Sequence, residues 1–310
     1  MSLSLKHLAA LYLFTCTAIL STRNSKAQNE NSTGIGNPIS VFDHVLVLAN
    51  PATPRGTMSA VDDLGYLKVI SEPWVQTFSL DVGFNRGQTS FGWLDKLSNL
   101  FIIGVEANHL LVTHFEHNPE FDRLRSKEII ILGAAGTKYG TALFNPGFGW
   151  QNVSDTGSLF GWTDPNREGE RQKHLREHMQ VRFVRLQDIL EHVPPPTPGK
   201  LIWDTLKIDI QGADVDALIS AGDYVKKFLC LVGEFDIRNY NVPADLPTDP
   251  VPFLKEKGFV RVNNNGNQVW FNPIYFEEYR RNATRFGCHL VYDSILDPAA
   301  LISVYDKGGV

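Results

Sequence analysis

Thr205-Leu206-Lys207-Ile208-Asp209-Ile210-Gln211-Gly212-Ala213-Asp214-Val215-Asp216-Ala217-Leu218 is the stretch on which the fold turns. Lys207, Asp209 and Gln211 alternate with apolar residues, so in a strand the three polar side chains share one side. Charged groups within a central strand need partners or a polar cleft. Gly212 then turns the chain into a helix whose packed stripe is Val215, Leu218 and Ile219. A strand passing through a glycine into a helix is the unit of α/β folds, and open α/β sheets bind ligands beyond the carboxyl ends of their strands.

The same rhythm extends to both sides. Short apolar runs occupy Thr77 to Val82, Leu100 to Val105, Glu128 to Leu132, Leu206 to Ile210 and Phe228 to Val232. Continuous rather than alternating apolar runs suit strands covered on both faces, as in a parallel sheet. Helix-compatible segments between them predict a doubly wound, Rossmann-like α/β domain. Gly258 to Val262 and Gln268 to Phe271 flank the turn-rich Asn263-Asn264-Asn265-Gly266-Asn267, which predicts an antiparallel hairpin closing one edge. Between the third and fourth runs lies a long insert, Gly136 to about Gln180, with Phe144, Phe148, Trp150, Phe160 and Trp162. Its aromatic content argues against disorder, so it is read as a lid or flap facing a second substrate. Pro194-Pro195-Pro196-Thr197-Pro198 is a stiff connector that no helix could cross.

Two more segments carry chemistry. Leu80-Asp81-Val82-Gly83-Phe84-Asn85-Arg86-Gly87 follows a run and precedes a helix start at Gln88. Glycines there let backbone approach a ligand, and the free N–H groups of a helix start favour a carboxylate or phosphate. The spacing G-x-x-x-G lacks the first two glycines of a dinucleotide fingerprint, which disfavours NAD and leaves Asp81 able to meet a ligand ammonium. Glu106, in Gly104-Val105-Glu106-Ala107-Asn108, closes the next run, where an acid can accept both hydroxyl protons of an adenosine ribose. An unpaired buried carboxylate would be costly as mere packing.

Together these segments resemble the FkbM family of S-adenosylmethionine-dependent methyltransferases. The resemblance lies in Asp81 to Gly87, in Glu106, and in Lys207 to Asp214 as K-I-D-x-x-G-A-[ED]. Val184 to Leu190 and Val232-Gly233-Glu234 are also similar, and the likeness spans roughly Val75 to Asn272. It departs at Ala107, where the family carries proline, and at Gln187, where it carries aspartate. The resemblance implies a seven-stranded methyltransferase sheet with its last strand antiparallel, S-adenosylmethionine as cofactor, and often O-methylation of a hydroxyl. The matched positions imply Asp81, Gly83, Asn85, Gly87, Glu106 and Asn108 around the cofactor, with Asp209 facing the cofactor or the acceptor. A hydroxyl acceptor needs a base, for which Asp209, Glu234 and Asp236 are candidates. Arg238 and Tyr240 stand close by in sequence. The acceptor expected is a small molecule, a glycan or a lipid-like hydroxyl. Two alternatives stay open: a catalytically silent module keeping the fold for binding, and an NAD-type oxidoreductase.

Ahead of the domain, Leu8 to Leu20 is apolar apart from Thr15 and Thr17. As a helix it would reach only ~20 Å, short of the ~30 Å hydrocarbon core. It reads as a signal peptide cut after Ala27, as an uncleaved signal-anchor tethering the chain to a membrane, or as an amphipathic or disordered tail. Three N-x-S/T sequons, at Asn31, Asn152 and Asn282, accord with the secretory pathway. The organisation expected is a leader at 1–28, a linker and lead-in at 29–74, the methyltransferase-like domain at 75–275, and a C-terminal extension at 276–310. Beside Cys16 in the leader stand Cys230 and Cys288, and Cys230 in its apolar run reads as a small buried hydrophobe.

A net charge of −5 with no basic stripe argues against nucleic acid as partner. The chain's 43% hydrophobic and 20% charged residues suit a globular core. His174-Leu175-Arg176-Glu177-His178 matches H-x-x-E-H, but it follows Glu170-Arg171-Gln172-Lys173 and lacks a clear third ligand. It reads as a solvated charged helix, and His109, His114 and His117 read as exposed polar residues rather than a metal centre.

Overall fold

The computed structural model describes residues 61–117, 122, 125–146, 157–166, 179–235, 237–263 and 267–275. Two compact units divide the chain, Met1–Ser40 and Val41–Val310, and every described residue belongs to the second. The leader, the three sequons, the H-x-x-E-H run, Asp236 and the extension from residue 276 lie outside the described residues. No helix among the described residues is long and apolar enough to cross a membrane.

Ten strands and five α-helices follow in chain order: β1 (Thr77–Val82), α1 (Gln88–Lys96), β2 (Leu100–Glu106), α2 (His109–His117), β3 (Glu128–Leu132), β4 (Ala134–Ala135), β5 (Thr141–Phe144), β6 (Met179–Val184), α3 (Leu186–Leu190), β7 (Ile202–Ile208), α4 (Asp214–Ser220), β8 (Phe228–Gly233), α5 (Val251–Glu256), β9 (Val260–Asn263) and β10 (Gln268–Phe271). Seven strands form one sheet in the order β3-β2-β1-β7-β8-β10-β9. β3, β2, β1, β7 and β8 run parallel, and β10 is antiparallel to both β8 and β9. This is the Rossmann-like seven-stranded methyltransferase sheet with an antiparallel edge hairpin.

The apolar runs behave as their composition requires. Every residue of β1, β2 and β8 is buried. On β2, Phe101, Ile103 and Val105 enter the main core, while Leu100 and Ile102 meet Trp93, Leu94 and Leu97 of and after α1 on the opposite face. That period of two is how one strand serves two helical layers. α3 and α4 supply Leu186, Ile189, Leu190, Val215, Ala217 and Leu218 to the main core. Each such side chain, fully buried, contributes roughly 1.5–3 kcal/mol. The lead-in also packs there through Leu67 and Ile70, whose 3-10 turn is Lys68–Ser71.

Three elements depart from expectation. The fourth run begins at Ile202 and ends at Ile208, so Asp209 and Gln211 lie beyond the strand rather than in it. The insert is not irregular throughout: β5 pairs antiparallel with β6, and β4 pairs parallel with β6, giving a second sheet in the order β4-β6-β5. Cys230 is buried as expected but is disulfide-bonded, its partner lying outside the described residues.

The sheet order places the site. From β1 the chain winds outward through β2 to β3, then returns to the other side of β1 with β7 and β8. The carboxyl ends of β1 and β7 therefore flank the point where winding reverses, which opens a crevice there.

Candidate functional site

A cleft of about 550 Å³ lies at that point, within the range of small-ligand sites. The ends of β1, β2 and β7 form its floor, and Phe144, Gly157 and Leu159 of the insert wall its outer side. The insert thus reaches the site as a flap, the role its aromatic content suggested.

Glu106 ends β2 and is only 6% exposed. Its two carboxylate oxygens accept separate backbone hydrogen bonds, one from the Asn85 N–H and one from the Asn108 N–H, each 2.7 Å. Burial pushes its carboxyl above the ordinary value, and the Asn108 and Asn85 N–H groups pull it only part of the way back. A carboxylate has about four lone-pair sites, so two remain for donors in the cleft. Asn108 also turns its Oδ1 onto the Leu110 N–H at 3.0 Å, starting α2 beside the cleft.

The β1 turn comes within reach because of Gly83 and Asn85. Gly83 has φ of 82°, and a Cβ there would stand 1.9 Å from the Asp209 carbonyl oxygen. Only glycine lets the β1 and β7 loops touch at that point. Asn85 is left-handed as well, at φ 56°, and its buried Oδ1 has no hydrogen-bond partner. Both residues line the cleft, together with Glu106, Asn108 and Asp209.

Asp81 and Gly87, expected around the cofactor, stand elsewhere. Asp81 is fully buried and does not line the cleft. Its Oδ1 accepts from Lys207 Nζ at 3.0 Å and its Oδ2 from the Ser90 hydroxyl at 2.8 Å. Lys207 Nζ also reaches the Gly83 carbonyl oxygen at 3.4 Å, so this pair braces the glycine turn from beneath. Gly87 caps α1 at φ 75°, where a Cβ would strike the Phe84 and Phe91 rings. Its glycine is a packing requirement.

The β7 loop is held from two directions. Asp214 accepts the Ile210 and Gly212 N–H groups at 3.0 and 2.9 Å, which folds the loop back on α4. Gln211, left-handed at φ 59°, donates from one Nε2 to Asp209 Oδ1 at 2.9 Å and to Glu234 Oε2 at 3.1 Å. Its Oε1 accepts the Tyr240 hydroxyl, and its carbonyl oxygen accepts the Ser158 hydroxyl at 2.6 Å. Asp209 Oδ2 also lies 3.8 Å from Lys207 Nζ, so the three polar residues of the deciding stretch do gather, though outside a strand. Burial first, and the neighbouring Asp209 and Asp214 carboxylates next, push the Glu234 carboxyl above its ordinary value.

Sequence alone did not reveal Gln211 as the joint, because its partners are remote. Tyr240 packs its ring 4.7 Å from that of Trp162, and the Thr163 hydroxyl donates to the Arg238 carbonyl oxygen. The flap is thereby clamped to the loop after β8. His109 and His114 are exposed on α2.

No family model matches the chain, and no curated protein matches it. One solved structure with a recorded likeness is described as the antibiotic-resistance methyltransferase Kmr. The likeness covers 74% of this chain and 99% of that one, at 10% identity and a TM-score of 0.35. So distant a likeness says nothing about activity, and the functional reading rests on the site itself.

Proposed function

We propose that this chain is an S-adenosylmethionine-dependent methyltransferase of FkbM type, acting on a hydroxyl of a small-molecule, glycan or lipid-like acceptor. The observation that carries the reading is Glu106. It is a buried acid at the tip of β2, oriented through both oxygens by backbone N–H groups, with lone pairs left over toward a cleft at the sheet's switch point. The donor set fits an adenosine and an amino-acid moiety. Glu106 would take the ribose hydroxyls, the buried Asn85 Oδ1 would take an ammonium or amide donor, and the turn at Gly83 leaves backbone exposed where a carboxylate could approach.

When bound, the cofactor supplies an electrophilic methyl group on a cationic sulfur. The chain's own part is to position donor and acceptor in line and to keep water out. Phe144 and Leu159 of the flap serve the second task. Asp209 is the carboxylate that lines the cleft, which makes it the first candidate to accept the acceptor's proton, with Glu234 behind it. The disulfide at Cys230, the three sequons and the apolar leader support a place in the secretory pathway, where disulfides persist.

Calorimetric titration of the full-length chain with S-adenosylmethionine, S-adenosylhomocysteine and NAD tests the reading. Micromolar binding of the first two and none of the third is expected. Binding of NAD alone would move the chain to the oxidoreductases, and no binding by folded protein would leave a silent module.

A further inference from the structure

Gln211 places two carboxylates on one amide. A carboxamide nitrogen carries two hydrogens, and here one goes to Asp209 and the other to Glu234. The arrangement is held at a left-handed φ of 59°, a conformation that costs a glutamine on the order of 1–3 kcal/mol. The Tyr240 hydroxyl and the Ser158 hydroxyl lock the residue from the other side. Around the pair stand Asp214 on α4, whose carboxylate is turned to the Ile210 and Gly212 N–H groups, and Tyr240 on the loop after β8, which also carries Arg238. Lys207 is the cation on the Asp209 side, but its shorter ion pair, 3.0 Å against 3.8 Å, is with Asp81. Asp209 opens onto the same cleft as the unpartnered, buried Asn85 Oδ1, so the pair faces a ligand site and is not merely a surface cluster.

We infer that Asp209 and Glu234, joined through Gln211, form a carboxylate pair that keeps one proton while the cleft lacks a cation and releases it to solvent when a sulfonium enters. The inference rests on the proposed function. Two carboxylates in one site do not both ionise readily, so the first proton to leave belongs to the pair rather than to either residue. A positive charge within about 4–6 Å favours the fully ionised state. S-adenosylmethionine carries that charge at sulfur, and S-adenosylhomocysteine, its demethylated product, does not. The pair therefore distinguishes donor from product by charge alone. It also stands deprotonated, able to take a hydroxyl proton, only when the methyl donor is present. Once the charge at sulfur is gone, a proton returns and the product's hold on the site weakens relative to the donor's. Burial and the neighbouring carboxylates raise the proton affinity of Glu234, in keeping with this role.

The test is calorimetric titration of the full-length chain with each ligand, in buffers of differing ionisation enthalpy, across about pH 5 to 7. In that range an α-amino group is protonated in either ligand. S-adenosylmethionine should release up to about one proton more than S-adenosylhomocysteine. The ratio of the two dissociation constants should shift in favour of the donor by up to about tenfold per pH unit. Glu234→Gln, and independently Asp209→Asn, should abolish the excess release. Equal proton counts for the two ligands in the unsubstituted chain overturn the inference and leave the cofactor assignment standing, and this comparison needs no variant to fold. An excess that survives both substitutions also overturns it. If folded protein binds neither ligand, the proposed function fails and the inference falls with it.

Discussion

Replacing Glu106 by glutamine changes one oxygen to an amide nitrogen and removes one charge, with almost no change in volume. In the native site both oxygens accept from backbone N–H groups at 2.7 Å. Glutamine has a single acceptor oxygen, so its NH2 must face either the Asn85 or the Asn108 N–H, donor against donor. A buried donor left without an acceptor costs about 1–3 kcal/mol. In a domain of this size that lowers Tm by roughly 2–4 °C for each kcal/mol. Binding suffers separately. If the remaining lone pairs receive the ribose hydroxyls, the loss of one hydrogen bond to a charged group, about 1.5–3 kcal/mol, weakens affinity by roughly 10- to 150-fold.

Urea denaturation measures the first effect and calorimetry with S-adenosylhomocysteine the second, but the two must be separated from simple loosening of the loop. A ligand lacking the ribose 2′-hydroxyl does this. In the unsubstituted chain its removal should cost affinity, whereas in Glu106→Gln it should cost little more, because the acceptor has already gone. If the deoxy ligand loses the same factor in both proteins, Glu106 does not touch the ribose. Its role would then be to staple the β1 and β2 loops, and the assignment of the site would have to change.

Lys207→Met leaves the fully buried Asp81 with only the Ser90 hydroxyl, and removing one partner of such a pair costs about 3–5 kcal/mol. Urea denaturation should show that loss, and Asp81→Asn in the same chain should restore much of it; a single substitution costing under about 1 kcal/mol would contradict the pairing. Gly83→Ala drives a Cβ to 1.9 Å from the Asp209 carbonyl oxygen, whereas Gly140→Ala, at φ 103°, meets nothing within 4 Å. Both pay about 1–2 kcal/mol for left-handed backbone, but only Gly83→Ala should also lower cofactor affinity by about tenfold or more, and equal behaviour of the two would argue against close contact of the loops. Glu128 is fully buried with no hydrogen-bond partner for its carboxyl oxygens, and burial, then the Asp81 charge, holds it well above the ordinary range. Because its folded pKa is raised, its contribution is intact below the unfolded value, about 4.3, and is lost as pH rises toward the folded value. Glu128→Gln should therefore gain stability over the unsubstituted chain as pH climbs through that window, and parallel pH profiles in denaturation would rule out a neutral carboxyl.

What could be read from the sequence follows from which signals are local. Glu128-Ile129-Ile130-Ile131-Leu132 and Thr77 to Val82 read correctly because strands buried on both faces announce themselves by unbroken apolarity. β7 was read too short at its start because Trp203-Asp204-Thr205 interrupts that apolarity, although all three are buried. β6 escaped notice because Met179-Gln180-Val181-Arg182-Phe183-Val184 is a half-exposed strand of a small antiparallel sheet whose partner, β5, buries only Phe144 fully. Glu106 was legible because an acid ending an apolar run is expensive to explain by packing. Asp81 met the same criterion and was misplaced, since the ammonium that satisfies it belongs to Lys207, 126 residues along the chain.

That last contrast explains why the two acids of the motif divide their work. Asp81 and Glu106 both sit at or near the ends of neighbouring parallel strands, and both are buried. Asp81 has its charge matched by Lys207, the stronger of that lysine's contacts, and has no lone pair facing the cleft. Glu106 has no cation recorded against it, only two N–H groups, so its charge is oriented but not neutralised. An oriented, unneutralised carboxylate in a cleft favours neutral donors such as sugar hydroxyls, which satisfy it without expelling a counter-ion. The Asp81–Lys207 pair also holds the Gly83 carbonyl and keeps Lys207 from fully neutralising Asp209. Removing Lys207 should therefore reach the cofactor end and the Asp209–Glu234 pair together, whereas removing Glu106 should reach only the first.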